Sequence, residues 1–212
     1  MPRPKSNGEL RTDIESMNIG DYVPCTYTAT SDKVGRFENV GVITGDELVI
    51  ERSGASLTNP NGYFYFIKVD KGLLIADRNI QSDISWKSIN EGKFIEGAFV
   101  KLGNIDGRIR SLSGGTRSYG TAGAYPENNE WDTYIVNSTL DGNIIKGNDY
   151  VWHWKSAYSW MQDCFYDPSF TMKGLQRVLR GIHSPSYHTR TSGENKSAAY
   201  GFRPVFEYKE LS

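Results

Sequence analysis

Apolar residues in this chain come in short runs separated by Gly, Asn, Asp and Pro, the pattern of strands joined by turns. The strongest run is Tyr63-Phe64-Tyr65-Phe66-Ile67-Lys68-Val69, whose aromatic and β-branched side chains suit a pleated surface. Asp70-Lys71-Gly72 turns it into Leu73-Leu74-Ile75-Ala76, which predicts a central hairpin. Residues 22–30 form a further strand candidate, and Pro24 confines it to an edge. Residues 40–44 and 47–51 predict two short strands around Gly45-Asp46, a dipeptide suited to a hairpin turn. Strands are also expected over residues 109–112, 140–145, 149–154, 178–181 and 202–206. Helical spacing is confined to three places. Residues 83–92 put Trp86 and Ile89 on one face, with Asp83 or Ser82 as cap and Gly92 as stop. Residues 127–136 turn Trp131, Tyr134 and Ile135 inward, and Thr12-Asp13-Ile14-Glu15 opens one helical turn that ends by Gly20.

Composition sharpens this into a fold class. With 22 Gly, 13 Tyr and few Leu or Ala, the chain points to an α+β fold that is mostly β. Its 212 residues suit one domain, or one with a smaller neighbour. The expected division is a flexible N-terminal arm over residues 1–20, a small β region over 21–60 and a main domain over 61–212. Four of the five Trp lie between Glu130 and Tyr208, so the main core is expected there. Net charge is -1, from 24 basic and 25 acidic residues, which argues against nucleic acid or an anionic membrane as partner. Arg108, Arg110 and Arg117 are the nearest approach to a basic patch. Cys25 and Cys164 lack CxxC spacing and are expected as two buried free thiols. No apolar signal segment or membrane-length run is visible, so synthesis in a cytoplasm is expected, and any action outside the cell implies another exit route such as lysis.

Little in the chain spells out catalysis. His153, His183 and His188 have no HExxH spacing, and no GxSxG elbow is present. Cys164 as a nucleophile would need a base and an electropositive pocket. Ser113-Gly114-Gly115-Thr116 and Gly120-Thr121-Ala122-Gly123 are glycine-rich without the ending of a phosphate loop. Asp141-Gly142-Asn143, Asn148-Asp149 and Asn128-Asn129-Glu130 offer oxygen ligands that leave calcium open, but turns explain them equally well and no ligand set emerges. No enzyme and no cofactor are expected. Tyr150, Trp152 and Trp154 share strand parity, with Val151 and His153 opposite. Arg203 sits in an apolar strand and needs a partner, for which Glu130, Asp132 and Glu207 are candidates. The segments 113–126 and 182–199 read as long polar loops, and such loops often carry function. Aromatic side chains in or beside them make flat stacking platforms. The candidate ligand-binding set is Tyr119, Tyr125, Tyr158, Trp160, Tyr187 and His188.

Several motifs together carry a resemblance. They are Arg110-Ser-Leu-Ser-Gly-Gly115, Glu130-Trp-Asp-Thr-Tyr-Ile135, Val151-Trp-His-Trp154, Tyr158-Ser-Trp160, Arg177-Val-Leu-Arg-Gly181 and Gly201-Phe-Arg-Pro-Val205. The combination resembles virion proteins of tailed phages that infect Gram-positive bacteria, the tail or fibre type that ends in a C-type-lectin-like domain. Arg180-Gly181 followed after a loop by Gly201-Phe202-Arg203 is also similar to the formylglycine-generating-enzyme version of that fold. Upstream, Gly20-Asp21-Tyr22-Val-Pro-Cys25 and residues 64–80 look like the amino-terminal part of the same phage proteins, so the likeness spans residues 17–208. It implies two short helices, around Trp86 and Trp131, flanking a small antiparallel sheet with long loops on one face. It implies a virion location and attachment to a host cell-wall saccharide or surface protein. Other virion proteins are implied partners, and a homo-oligomer would supply multivalency. A capsid or tail decoration or connector protein is the first alternative, and an enzyme of the formylglycine-generating-enzyme fold is the second. The generating enzymes use paired late cysteines, and only Cys164 stands there, so that activity is not carried over.

Overall fold

The aromatic run forms the strand it predicts. β3 (Asn61–Asp70) passes through Lys71-Gly72 into β4 (Leu73–Ala76). Gly72 has φ +68°, a left-handed conformation that costs glycine nothing. The two strands pair antiparallel, Ile67 opposite Ile75. The computed structural model describes residues 3–49, 57–120, 123–155, 157–168 and 176–210. Within them β1 (Tyr22–Thr28), β2 (Arg36–Glu38), β6 (Ala98–Leu102), β7 (Ile105–Ser111) and β14 (Pro204–Tyr208) join the hairpin. They make an antiparallel sheet ordered β2-β1-β3-β4-β14-β7-β6. A second sheet combines β5 (Gln81–Ser82), β10 (Tyr158–Cys164), β11 (Gln176–Gly181), β12 (His188–Ser192) and β13 (Tyr200–Phe202). Its order is β12-β11-β10-β13-β5, with only β10 and β13 parallel.

Both faces of the larger sheet are covered, which explains why β3 reads as continuously apolar rather than alternating. Phe64 and Phe66 enter one core with Leu74, Trp160, Phe202 and Phe206. Tyr65 and Ile67 enter the other with Ile75, Trp131, Trp152 and Val205. The chain steps between sheets at residues 77–80 and again at Arg203, where strand pairing stops and backbone groups need other partners. Arg203 meets part of that need, its Nη1 donating to Ala76 O at 3.0 Å and its Nε to Ser159 Oγ at 3.2 Å.

Three short helices stand out among the described residues. In α1 (Trp86–Glu91), Trp86 and Ile89 are buried as predicted, and Gly92 closes the end. The cap is Ser85, not Asp83 or Ser82: its Oγ accepts from Ser88 N at 3.0 Å. The predicted helix near Trp131 is present as α2 (Trp131–Val136), wound as a π-helix with Trp131 and Ile135 buried. α3 (Asp149–Trp152) replaces a predicted strand, because the Asn148 side chain caps it by accepting from Tyr150 N. Residues 140–145 are turns rather than strand. The strand parity of Tyr150, Trp152 and Trp154 therefore fails, since both Trp are buried with Val151 while Tyr150 is exposed.

Other expectations near the N-terminus are also revised. Residues 40–44 form no strand, Glu47 makes only a single bridge to Tyr63, and β2 lies earlier. Residues 50 and 51 of the second predicted strand lie outside the described residues. Pro24 does sit where β1 lacks a ladder on one side, because β2 reaches only Thr26 to Thr28. The segment after Thr12 is a turn in which Asp13 Oδ1 accepts from Ser16 N at 2.8 Å. The expected flexible arm is hydrogen-bonded in place. Asn7 N donates to Asn143 O at 2.8 Å, Glu9 N to Asp21 Oδ1 at 2.7 Å, and Leu10 bridges Tyr22. Residues 21–60 and 61–212, expected as separate regions, share the seven-stranded sheet.

The packing between β7 and β14 leaves no room at Gly107, where a Cβ would meet Phe206 Cε2 at 2.5 Å and Glu207 O at 2.6 Å. Gly107→Ala is expected to cost ~1–3 kcal/mol, read by urea denaturation. Stability unchanged within about 0.5 kcal/mol would mean the strands separate more easily than this packing implies.

Candidate ligand-binding face

One buried ion pair organises the loop end of the molecule. Arg180, on β11, is fully buried and pairs with Asp132 of α2. Its Nη1 also donates to Gly114 O at 2.6 Å, its Nε to Tyr187 O at 3.2 Å and its Nη2 to Ser186 O at 3.3 Å. Asp132 Oδ2 accepts from Ala124 N at 2.7 Å and Asn129 Nδ2 at 2.8 Å. The pair thus holds both ends of the segment 113–126 and the start of 182–199 at once. Such a pair is held by geometry and by the extra hydrogen bonds that satisfy each ion. Gly123 admits the carboxylate, since a Cβ there would stand 2.7 Å from Asp132 Oδ2. Neighbouring contacts reinforce the frame. Glu130 Oε2 accepts from Arg110 Nη1 at 2.7 Å and Ser113 N at 2.9 Å, Asp163 Oδ2 accepts from Gly114 N at 2.6 Å, and Trp131 Nε1 donates to Pro185 O at 2.7 Å.

On this frame β8 (Arg117–Ser118) and β9 (Ala124–Tyr125) form a small hairpin. Tyr119 and Tyr125 project from it, half exposed, with ring centroids 6.2 Å apart at 82°. The Arg117 guanidinium lies 5.6 Å from the Tyr119 ring centroid and 5.4 Å from that of Tyr125. Among the described residues it has no carboxylate partner. β12 faces the hairpin with His188 and Arg190, the latter over Phe165 at 3.9 Å. Arg117, Tyr119, Phe165, Asp167, His188 and Arg190 line a cleft of about 440 Å³. His188 lies against Gly115 O at 3.2 Å. Burial first, and Arg180 second, lower its pKa to about 4, so its ring is neutral at pH 7.

No family model, curated protein or solved structure matches this chain.

The six candidate residues divide among three environments. Tyr119 and His188 line the cleft, with Tyr125 packed against Tyr119. Tyr158 and Tyr187 belong to a second aromatic group with His183, their centroids 6.1 Å apart and Tyr187 4.7 Å from His183. Trp160 is not a surface platform. It is fully buried, and its Nε1 donates to Ile84 O at 2.8 Å. The cleft adds Phe165, Asp167 and Arg190, which the sequence reading did not single out. Arg190 shares strand parity with His188, a signal hidden because residues 188–192 read as loop.

Two further expectations change. Arg203 bonds a carbonyl and a hydroxyl, while Glu130 and Glu207 hold Arg110 and Asp132 holds Arg180. Cys164 is exposed beside the Arg177 guanidinium, whereas Cys25 is buried and burial pushes its thiol pKa up. Among the described residues no group of three or more His, Cys, Asp or Glu is placed to hold a metal ion.

Proposed function

We propose that this chain is a structural protein of the virion of a tailed phage of Gram-positive bacteria, and that its loop face binds a cell-wall saccharide. In this reading the fold is a C-type-lectin-like variant, with α1 and α2 as its two helices and the loop segments gathered at one end. The observation that carries it is the cleft between β8 and β12, where half-exposed Tyr119 stands beside Arg117 and His188. A flat ring stacks on the apolar face of a sugar while neighbouring polar groups read its hydroxyls. The buried Arg180–Asp132 pair supports this use, because it fixes the loops before any ligand arrives, and preorganisation lowers the cost of binding. A single site of this size binds weakly, and a homo-oligomeric spike would raise avidity without new contacts.

A second reading, a decoration or connector protein, is favoured by one observation. Phe99 on the terminal strand β6 is 81% exposed, with the Arg108 guanidinium 4.5 Å from its ring centroid. Exposed apolar edges attract protein partners. Retention on purified Gram-positive sacculi separates the two. Tyr119→Ala is expected to weaken retention several-fold, the size of a ~1 kcal/mol contact, while leaving the melting temperature unchanged. Retention unaltered by both Tyr119→Ala and Tyr187→Ala would remove the loop face from the binding role.

A further inference from the structure

We propose that β6 is a self-association edge, through which two copies of this chain pair antiparallel about a two-fold axis at Val100. The inference does not rest on what the loop face binds. β6 ends the seven-stranded sheet, and no strand pairs with its outer side among the described residues. The direction of its backbone groups follows from the register, because bonded residues alternate along an antiparallel ladder. Tyr208 N donates to Gly72 O, so Tyr208 faces the β3–β4 hairpin and Glu207 faces β7. Glu207 pairs with Arg108, so Gly107 and Ile109 on either side of it face β6, where they meet Val100 and Ala98. Phe99 and Lys101 therefore turn their N–H and C=O groups away from the sheet.

Such an edge is a template for another strand, and proteins guard it with short strands, Pro or charge. The opposite edge of the same sheet, β2, is three residues long. β6 carries only Lys101 as a guard, while Phe99 is the most exposed large apolar side chain among the described residues. Self-complementarity fixes the occupant as a second copy. A two-fold at Val100 sets Phe99 opposite the second copy's Lys101 and joins the outward N–H groups of each to the outward C=O groups of the other. A two-fold at Lys101 would oppose like charges, which destabilises a pair. One at Phe99 would set Lys101 against Gly97, whose N–H already donates to Lys93 O at 3.0 Å. At Val100 each Phe99 ring lies between two cations. One is Arg108 of its own copy, 4.5 Å from the ring centroid, and the other is Lys101 of the second. Each cation has a carboxylate opposite it on the neighbouring strand, Glu207 for Arg108 and Asp106 for Lys101.

Opposed residues in an antiparallel pair share a face. Phe99 shares its face with Arg108, Glu207 and Val205, and Val205 packs in one core with Trp131 and Ile135 of α2. Both copies therefore carry α2 on the same side of the joined sheet, and its loop frame is offered twice in one direction.

Sedimentation velocity of the full chain from about 1 µM to 1 mM is the test. The wild type is expected to pass from monomer to dimer within that range, as a small interface implies. Phe99→Lys opposes lysines across the axis and is expected to weaken association at least about tenfold. Adding Lys101→Glu restores opposite charges and is expected to recover most of the loss. The three proteins are expected to keep closely similar urea midpoints, since both side chains are exposed. A wild type that stays monomeric at the highest concentration overturns the proposal and leaves β6 to a different protein. A dimer indifferent to Phe99→Lys, or one that the second change does not recover, also overturns it. The wild-type series needs no variant to fold, and retention on sacculi plays no part, so the saccharide reading stands or falls separately.

Discussion

Asp132→Ala is expected to cost ~3–5 kcal/mol of folding stability, a large share of the ~5–15 kcal/mol available to a domain. The change removes the carboxylate from a guanidinium that has no exposed surface. It also strips Ala124 N and Asn129 Nδ2 of their acceptor. A buried charge without its partner is the most expensive thing a core can contain. Arg180→Ala is expected to cost about as much, because Asp132 then loses its counter-charge and the carbonyls of Gly114, Ser186 and Tyr187 lose donors. The combined Asp132→Leu, Arg180→Met change is expected to cost less than the two single losses together, by more than about 1 kcal/mol, since neither charge is left behind. Urea denaturation of the three variants gives the coupling directly. Single-variant losses below about 1 kcal/mol would show that the pair does not hold the loop face together. Limited proteolysis supplies a second readout, with cleavage in 113–126 accelerating before the rest of the chain opens.

Acidification is expected to produce the other large effect. Burial lowers the pKa of His153 from 6.5 to about 4, and the Arg78 and Arg203 charges add to this against Asp77 and Asp149. His188 shifts the same way, chiefly by burial, with Arg180 and Arg190 opposing its protonation and Asp132 favouring it. A depressed folded-state pKa means that the unfolded chain binds the proton first. Stability is therefore full above about pH 6.5, falls as pH drops, and stops falling from this source near pH 4. A shift of this size is worth at most ~3 kcal/mol for His153, and less for His188, which is only half-buried. Asp163 works in the opposite sense: burial raises its pKa, so its protonation favours the folded state as acid is added. The net expectation is a loss of several kcal/mol between about pH 7 and 4, and His153→Asn is expected to flatten that slope. Urea midpoints that stay level across the range would contradict the buried, neutral state of both rings.

The fold was legible where local physics decides it. The run from Tyr63 to Val69 has no other way to bury its aromatic side chains, and Gly72 supplies the turn, so β3 and β4 follow from the residues alone. Trp86 and Ile89 mark the buried face of α1 for the same reason. Where a four-residue helix competes with a four-residue strand, periodicity has too few positions to decide. At residues 149–152 a single Asn148 side-chain hydrogen bond settles the matter. β12 carries no apolar alternation, because its side chains meet the cleft rather than a core. It is stabilised by pairing with β11, which no local pattern announces.

The candidate site shows the same division. Tyr119, Tyr125 and His188 were legible as aromatic or ring residues in polar segments, and the structure gathers them at the cleft. Trp160 misleads because a tryptophan near a loop reads as a platform, while β10 takes it into the core. The partner of each buried arginine was not legible either. The contact between Arg180 and Asp132 spans 48 positions, and it takes up a carboxylate that the sequence offered to Arg203.

The central claim is that the loops held by Arg180 and Asp132 form the surface that meets a cell-wall saccharide. Its most direct test is to titrate soluble wall polysaccharide into isotope-labelled protein and follow the backbone amides by NMR. Shifts concentrated over residues 114–120 and 187–190, growing with ligand and saturating, are the predicted result. Shifts gathered instead around Phe99 on β6, or none at any concentration, would contradict it.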